Sequence, residues 1–173
     1  LPRTIMPYFP VFLDLTDKAC LVVGAGEVGR RKICRLLDCE AGRVLIVDPD
    51  PPPDLVQDME SQARISFARR PFQPEDLQGK FLVIASTGEQ TTNSLISRLC
   101  QEQGILCNIV DQPDKCNFIV PALLSRGELN IAVSTSGASP ALAGRIKKEL
   151  AGHYGPEYTA WLALLRRLRP LVL

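Results

Sequence analysis

The chain has 173 residues, 46% of them hydrophobic, which is enough to bury the core of one domain or of one domain with a small appendage. Its 20 basic and 19 acidic residues leave a formal net charge of +1, so composition gives no electrostatic case for a nucleic-acid or membrane-surface partner. No apolar run is long enough to span a bilayer, and no secretory signal pattern begins at Leu1. We therefore expect a cytoplasmic protein.

The cysteine and histidine content argues against a stable metal site. No C-x-x-C pair occurs, and most of the cysteines fall in apolar strand or helix patterns, so we expect small reduced core residues and neither disulfides nor zinc ligands. The single His153 is expected at the surface near a helix end. The cysteines are Cys20, Cys34, Cys39, Cys100, Cys107 and Cys116.

The first predicted elements form a strand–turn–helix–strand unit. Residues 8–15, YFPVFLDL, predict a short entering strand, with Pro10 favouring an edge position. The apolar run at residues 19–23 is typical of a buried parallel strand, and a second run at residues 43–47 ends at Asp48. Between these two runs, apolar residues recur at helical spacing: Val28, Ile33, Leu36 and Leu37.

The turn between the first strand and the helix contains a G-x-G-x-x-G pattern, which is typical of a dinucleotide site. Gly24 would permit the tight turn, Gly26 the approach of backbone N–H groups to a pyrophosphate, and Gly29 close packing of helix on strand. The pyrophosphate would lie at the helix N-terminus, beside Glu27 and Val28. A glycine-rich turn in an unrelated α/β domain is the alternative.

Asp48 stands where an acid can accept hydrogen bonds from the adenosine ribose. An acid there repels a 2′-phosphate, so Asp48 favours NAD over NADP as the cofactor. Arg30 and Arg31, just inside the helix, could interact with a phosphate and temper that preference.

Further along the chain, strands and helices continue to alternate. Four prolines within residues 49–53 predict a loop. A short helix at residues 55–62 and a brief strand at residues 64–68 follow. The apolar run at residues 81–85 predicts another buried strand, and it ends in small residues at a turn where doubly wound sheets bind ligands, Ser86 and Thr87.

The next helix is predicted over residues 89–103, with Gly104 as its C-cap. Residues 105–110 predict a strand that ends in Asp111. From the residues alone, Asp111 fits a helix or turn cap as well as a general base. The alternation up to this point predicts a parallel sheet with right-handed crossovers.

Beyond Asp111 the pattern changes to a hairpin or small added sheet, with a turn at Arg126–Gly127 and a strand at residues 129–133. Ser139 is a plausible N-cap and Pro140 a first helical residue, so a helix is predicted over residues 141–150. After a break at residues 152–156, residues 157–168 predict a last amphipathic helix. Its apolar stripe is Trp161, Leu164, Leu165 and Leu168.

Several segments together resemble the precorrin-2 dehydrogenases, including the amino-terminal module of siroheme synthases. They are YFPVFLDL, VVGAGEVGRRK, ASTGEQTTN and NIVDQPDKCNFIVPALLSRGELNIAVSTSGASPALAGRIK, in collinear order over residues 7–150. The most specific part is N-x-V-D-x-P…F-I-x-P-A followed by S-x-S-G-A-S-P.

The resemblance implies NAD-dependent oxidation of precorrin-2 to sirohydrochlorin. Asp111 matches the family aspartate that serves as the acid/base group. In members that also insert ferrous iron or cobalt, that aspartate takes part in metal insertion, so a bifunctional dehydrogenase–chelatase stays open. Asn108 and Pro113 of the same motif fit structural roles, and Asn108 is also a candidate for contact with substrate.

The substrate is a polycarboxylate, so a nearly neutral chain needs a local cationic complement. The candidates are Arg126, Arg145, Lys147 and Lys148, although the last three could be ordinary helix-surface charges. The family's Ser/Thr–Gly segment matches Ser134, Thr135, Ser136 and Gly137, whose hydroxyl and N–H groups could bind substrate carboxylates. A plain capping loop is the alternative for this segment.

The resemblance also implies an α/β fold: a Rossmann-type parallel sheet, a small added β dimerisation region and a C-terminal helical segment. We place the cofactor domain at residues 1–112, the dimerisation and substrate region at residues 113–150, and the helical segment at residues 151–173. A homodimer is expected. The competing hypothesis is an NAD-sensing regulatory module, which would bind cofactor without turnover.

Overall fold

The computed structural model describes residues 8–172. They contain two compact units, an N-terminal unit of residues 9–119 and a C-terminal unit that contains residues 120–172. Within the described residues, none of the helices combines the length and apolar character needed to cross a bilayer. The predicted domain boundaries at residues 112 and 150 stay predictions, and residues 1–7 lie outside the described part of the chain.

The N-terminal unit alternates strands and helices, as expected from the sequence. Two short 3-10 turns, Pro74–Leu77 and Pro113–Lys115, were not predicted. The regular elements are β1 (Ala19–Val23), α1 (Glu27–Asp38), β2 (Arg43–Val47), α2 (Pro53–Met59), β3 (Ile65–Ala68), β4 (Leu82–Ala85), α3 (Gln90–Gln103) and β5 (Leu106–Ile109).

The five strands form one parallel sheet in the order β3-β2-β1-β4-β5. The chain moves outward from β1 to β3 and then returns to β4 on the other side of β1. This reversal is a topological switch point, and in open α/β sheets ligands bind outside the carboxyl ends of the strands at such a point. The predicted Rossmann-type sheet is confirmed.

Alternation along β1 divides the core between the two faces of the sheet. Cys20 and Val22 pack with side chains of α1 and α2 on one face. Leu21 and Val23 pack with side chains of α3 on the other. Both faces of this parallel strand are covered, so all four side chains are 3% exposed or less. This burial explains why the run is continuously apolar and does not alternate with polar residues.

The predicted entering strand at residues 8–15 is wrong. No strand forms there; the segment is irregular, and large side chains such as Phe9 and Phe12 are 88% and 70% exposed. Only Leu15 joins the core, and its carbonyl accepts hydrogen bonds from the Lys18 and Gly42 N–H groups. Apolar composition alone does not make a strand, which needs a partner for its backbone groups.

The C-terminal unit contains the predicted hairpin. Strands β6 (Ala122–Arg126) and β7 (Leu129–Val133) are antiparallel, and Gly127 in their turn has a positive φ of 59°. Two helices follow, α4 (Pro140–His153) and α5 (Glu157–Val172). Both are longer than predicted, and the break between them covers residues 154–156 only.

The predicted helix caps are confirmed. The Ser139 hydroxyl accepts a hydrogen bond from the Leu142 N–H at the start of α4, and Gly104 ends α3 in the left-handed region with φ 67°. All six cysteines are free. Cys34 is a correction, because it lies exposed on α1 and not in the core.

The junction of β1 and α1 is packed as tightly as the glycine pattern predicts. Gly24 has a φ of 92°, and a Cβ on it would lie 2.9 Å from the Ser86 carbonyl carbon and oxygen. A Cβ on Gly29 would lie 2.0 Å from the Gly24 carbonyl oxygen. A Cβ on Gly26 would meet nothing within 4 Å. The fold therefore requires glycine at two of the three positions.

This packing predicts that alanine destabilises the unit far more at one glycine of the motif than at another. Gly29→Ala should lower the free energy of unfolding by about 1–3 kcal/mol or more, because α1 must move off the end of β1. Gly26→Ala should cost less than about 1 kcal/mol, since it changes only the helix N-cap. Urea unfolding of both variants checks this, and equal stability of the two would contradict it.

Candidate functional site

The glycine loop is closed by Asp48, whose side chain follows the end of β2. One carboxylate oxygen accepts a hydrogen bond from the Ala25 N–H at 2.6 Å, and the other accepts from the Asp50 N–H at 2.8 Å. The Gly24 N–H donates to the Val47 carbonyl at 2.9 Å. Asp48 thus braces the loop itself, which the sequence did not predict. Each carboxylate oxygen has a further lone-pair site for a ligand hydroxyl.

Ser86 and Thr87, predicted as cofactor-binding, form the turn after β4. The Ser86 hydroxyl donates to the Gly24 carbonyl at 2.7 Å, and the Thr87 hydroxyl donates to the buried Asn93 side chain at 2.9 Å. The Asn93 amide returns a hydrogen bond to the Thr87 carbonyl at 3.0 Å. The protein's own groups therefore engage both hydroxyls, and the two residues shape the edge of the site.

The N-terminus of α1 faces the same edge with no side chain capping it. Gly26 is the N-cap, no side-chain hydrogen bond satisfies it, and Glu27 is exposed in the first turn. The partly buried Val28 follows. Unsatisfied N–H groups and the helix dipole attract an anion. With the open space at Gly26, the residues present fit a pyrophosphate.

Arg30, a candidate for contact with a phosphate, forms ion pairs with other residues of the protein instead. Its guanidinium forms ion pairs with Asp54 and Asp58 of α2. Two carboxylates raise the pKa of the Arg30 guanidinium, first through the hydrogen bond to Asp54. Arg31, the next residue along the helix, is exposed. Arg30 therefore does not supply a free cation for a 2′-phosphate.

Asp111 lies at the carboxyl end of β5, in the turn after the last strand residue. The Val110 N–H still donates to the Ala85 carbonyl at 2.9 Å, and Asp111 itself is exposed with a φ of 59°. Positive φ is uncommon for a residue with a side chain, although aspartate tolerates it better than most. The chain thus holds an accessible carboxylate at the ligand-binding edge of the sheet.

Asn108 is buried in β5, three residues before Asp111, and its side-chain amide donates hydrogen bonds within the N-terminal unit. It donates to the Phe118 carbonyl at 3.2 Å and approaches the Cys116 sulfur at 3.6 Å. With 9% of its surface exposed, Asn108 has the contacts of a residue that ties the following loop to β5. These contacts favour the structural role over contact with substrate.

Lys32 is a residue that the sequence analysis missed. Burial lowers the pKa of its ammonium group, and Arg31 beside it acts in the same direction, while the Asp111 carboxylate opposes the shift by Coulomb attraction. Lys32 on α1 is therefore partly buried within electrostatic range of Asp111. The sequence feature that could have indicated Lys32 is the run of three cations after the glycines, RRK, in which it follows Arg30 and Arg31.

The segment Ser134–Gly137 in the C-terminal unit forms a tight turn ahead of α4. The Ser136 N–H donates to the Ser134 hydroxyl, and the Ser139 N–H donates to the Thr135 hydroxyl, both at 3.0 Å. Ser136 and Gly137 both have positive φ, 53° and 87°. These contacts are those of the capping loop that was the alternative for this segment, and they leave its outer surface exposed.

The predicted cations of the C-terminal unit differ in their contacts. Arg126 is partly buried, and its Nε donates to the Tyr154 carbonyl at the end of α4, at 3.1 Å. Arg145 is exposed and pairs with Glu149 one turn on, at 2.9 Å. Lys147 is partly buried and Lys148 exposed. Arg126 is thus a positioned cation, whereas Arg145 has the contacts of a helix-surface charge.

The structure brings together the residues that were predicted to bind the cofactor. The glycine loop, Asp48, Ser86 and Thr87 meet at the carboxyl edge of the sheet, and Asp111 follows a strand of the same edge. The substrate candidates beyond residue 120 belong to the C-terminal unit. Within residues 8–172, His, Cys, Asp and Glu side chains form no group of three able to hold a metal ion.

Comparisons with known proteins agree with this division. A family model described as NAD(P)-binding matches residues 11–122. A second model, described as the central part of sirohaem biosynthesis proteins, matches residues 126–153. The first spans well over half of the chain, and the second lies within the C-terminal unit.

Siroheme synthases are similar to this chain over nearly its whole length. That of Thioalkalivibrio sulfidiphilus is 38% identical over 164 residues, which is 95% of this chain and 33% of the synthase. That of Nitrosomonas eutropha is 39% identical over 145 residues, 84% of this chain and 30% of the synthase. The chain thus spans about a third of the length of these relatives.

A solved structure matches more completely. SirC, a precorrin-2 dehydrogenase, superposes with a TM-score of 0.80 at 31% identity, covering 95% of this chain and 80% of SirC. The match extends over the parallel sheet, the hairpin and the helices that follow. The chain belongs to the family of NAD(P)-binding siroheme-biosynthesis proteins that includes the precorrin-2 dehydrogenase SirC.

Proposed function

We propose that this chain catalyses the NAD-dependent oxidation of precorrin-2 to sirohydrochlorin. The observation that carries the proposal is the carboxyl edge of the sheet, where an uncapped helix N-terminus after β1 and an exposed carboxylate after β5 lie two strands apart. A dinucleotide site beside an acid/base group is what hydride removal coupled to proton loss requires. Likeness to SirC identifies the substrate class.

The cofactor end of the site is assigned to the glycine loop. Gly26 leaves room for close approach of a pyrophosphate, and the N-terminus of α1 supplies N–H groups and a favourable dipole. When bound, the nicotinamide ring provides the hydride acceptor. Glu27 and Val28 begin the helix where the pyrophosphate would be held, while Ser86 and Thr87 support the loop from β4 through Gly24 and Asn93.

Asp48 selects NAD over NADP in this proposal. Its carboxylate is held by the Ala25 and Asp50 N–H groups and has lone pairs left for the ribose hydroxyls. A 2′-phosphate would meet a fixed negative charge there. The neighbouring Arg30, which could have balanced that charge, is paired with Asp54 and Asp58.

Asp111 is assigned the proton transfer. Hydride departure from the substrate leaves a proton to be removed, and an exposed carboxylate at the strand end can accept it. Lys32 lies within electrostatic range of that carboxylate. The same exposed position is compatible with metal insertion into the product.

The substrate's carboxylates need donors, and we assign that role to the C-terminal unit. Arg126 is a positioned cation, and the outer face of Ser134–Gly137 presents hydroxyl and N–H groups at the start of α4. Arg145 is the secondary candidate because Glu149 already balances it. Asn108 keeps the structural role of tying the following loop to β5.

We further propose a homodimer formed through the C-terminal unit, in the cytoplasm, where free cysteines persist. Helix α5 presents an apolar stripe whose members are 43–60% exposed in the single chain. Apolar stripes on soluble chains mark interaction sites. The stripe consists of Trp161, Leu164, Leu165 and Leu168.

Asp48→Asn should reduce the preference for NAD over NADP, chiefly by tightening NADP binding. The amide keeps an oxygen for the Ala25 N–H but loses the acceptor for the Asp50 N–H, so the glycine loop stays tethered through Ala25 while the repelling charge is gone. Fluorescence titration with NADH and NADPH measures both dissociation constants. The matched control is Asp50→Asn, an exposed neighbour that should change neither; an unaltered ratio in Asp48→Asn would remove Asp48 from cofactor selection.

Asp111→Asn should lower kcat for precorrin-2 oxidation by about 10²-fold or more, the usual contribution of a general base. Asparagine tolerates positive φ, so the turn should survive the change. The assay is anaerobic, with precorrin-2 and NAD, and follows NADH and the sirohydrochlorin spectrum. Asp114→Asn, in the same loop and also exposed, should retain activity.

Two outcomes of this assay would count against the proposal. Full activity in Asp111→Asn would remove that carboxylate from the chemistry. A folded native chain that binds NAD but forms no NADH would favour the regulatory sensor. In a further arm, ferrous or cobalt ion is added, and a spectral change faster than without protein would add a chelatase activity.

The native chain should have twice the mass of one chain in light scattering, and Leu164→Glu with Leu168→Glu should convert it to a monomer. Charged side chains on the stripe cannot be buried between two copies without a large desolvation cost. Arg167→Glu, on the same helix and exposed, is the control that should remain dimeric. A monomeric native chain would overturn the dimer proposal.

A further inference from the structure

The turn that presents Asp111 lacks the support of a neighbouring strand. Strand β5 is the last strand of the sheet, so one of its edges has no strand to bond with. Asp111 follows that edge in a left-handed conformation with φ 59°. A non-glycine residue keeps such a conformation only where the surrounding structure holds it there.

The Cys116 sulfur bridges the two sides of this turn. It accepts a hydrogen bond from the Ile109 N–H at 3.2 Å, and it lies 3.2 Å from the Ile109 carbonyl and 3.3 Å from the Gln112 carbonyl. One S–H group can donate to either carbonyl. Ile109 precedes Asp111 by two residues, and Gln112 follows it directly. The Gln112 N–H donates to the Ile109 carbonyl at 3.3 Å, and the thiol adds a second, side-chain bridge across the same turn.

The thiol has the protonation state that this bridge needs. Burial raises the pKa of the Cys116 thiol, and the Ile109 N–H only partly offsets that shift. A neutral thiol both donates and accepts hydrogen bonds, whereas a thiolate would repel the two carbonyl oxygens. The same shift makes Cys116 a poor nucleophile.

The rest of the loop is anchored without Cys116. The Asn117 side chain accepts from the Cys107 N–H at 2.7 Å and donates to the Ile105 carbonyl at 2.8 Å, replacing a neighbouring strand along β5. Ser97 of α3 donates to the Lys115 carbonyl at 2.7 Å. Loss of the thiol should therefore loosen the tip that carries Asp111 and leave the loop's attachment to the unit intact.

We propose that Cys116 is a positioning residue for Asp111, bridging Ile109 and Gln112 so that the carboxylate is held in the geometry for proton transfer. The inference rests on the proposed dehydrogenase function. It assigns no chemical step to the sulfur, which remains a thiol throughout.

Cys116→Ala should lower kcat for precorrin-2 oxidation by about tenfold to 10²-fold, the cost of a small misplacement of a catalytic group. The dissociation constant for NADH and the melting temperature should stay near those of the native chain. Cys116→Ser should recover part of the loss, since a hydroxyl donates and accepts in the same way but reaches less far. The exposed Cys34→Ala and Cys39→Ala are matched controls that should behave as native.

A double-mutant cycle separates positioning from general structural support. With Asp111→Asn already present, adding Cys116→Ala should change kcat by less than about twofold, because the group that the thiol positions is gone. Full additivity of the two effects, or native kcat in Cys116→Ala, would overturn the inference. If Cys116→Ala melts early, the cycle is run with Cys116→Val, which fills the space of the thiol without its hydrogen bonds, and the same two outcomes decide. Absence of NADH formation by the folded native chain would instead refute the proposed function.

Discussion

The close approach of Gly29 to the Gly24 carbonyl is the contact on which the N-terminal unit's function depends. A side chain on Gly29 would begin 2.0 Å from that oxygen, so only glycine lets α1 start directly at the end of β1. This placement directs the helix N-terminus at the carboxyl edge of the sheet, where its unpaired N–H groups attract an anion. Asp48 then fastens the loop through Ala25, and Ser86 fastens it from β4. Residues at the ends of three strands thus converge on one short loop, and the proposed anion site follows from their packing.

A second constraint lies at the opposite end of the same edge. Strand β5 has no strand on its outer side, yet its backbone groups are buried and need partners. Side chains of the following loop provide them, Asn117 along the strand and Cys116 at its tip. Because these partners come from a loop, the chain can leave the sheet immediately and present Asp111 to solvent. The proposed site therefore combines an uncapped helix N-terminus after β1, fastened from β4, with an exposed carboxylate in a turn that the Cys116 sulfur bridges.

Much of the fold could be predicted because the signals are local. The glycines, the apolar runs and the caps at Gly104 and Ser139 depend on backbone conformation and on burial of both faces of a parallel strand, and all of these are confirmed. The strand predicted at residues 8–15 is wrong for the converse reason: a strand needs a bonding partner, which no local pattern specifies. Exposure of Cys34 likewise depends on which face of α1 meets the sheet.

The sequence by itself determined the strand–turn–helix unit, the order of elements and the candidate acids, because spacing and residue type suffice for these. Tertiary structure alone decided how those residues are used. It showed that Asp48 braces the loop, that Asp54 and Asp58 occupy Arg30, and that Lys32 and Cys116 lie near Asp111. Each of these pairings joins residues that are separated along the chain, from 5 positions in the case of Asp111 and Cys116 to 79 in that of Lys32 and Asp111. Pairings of this kind follow from the order of strands in the sheet, which is a property of the whole packed unit and not of any local stretch.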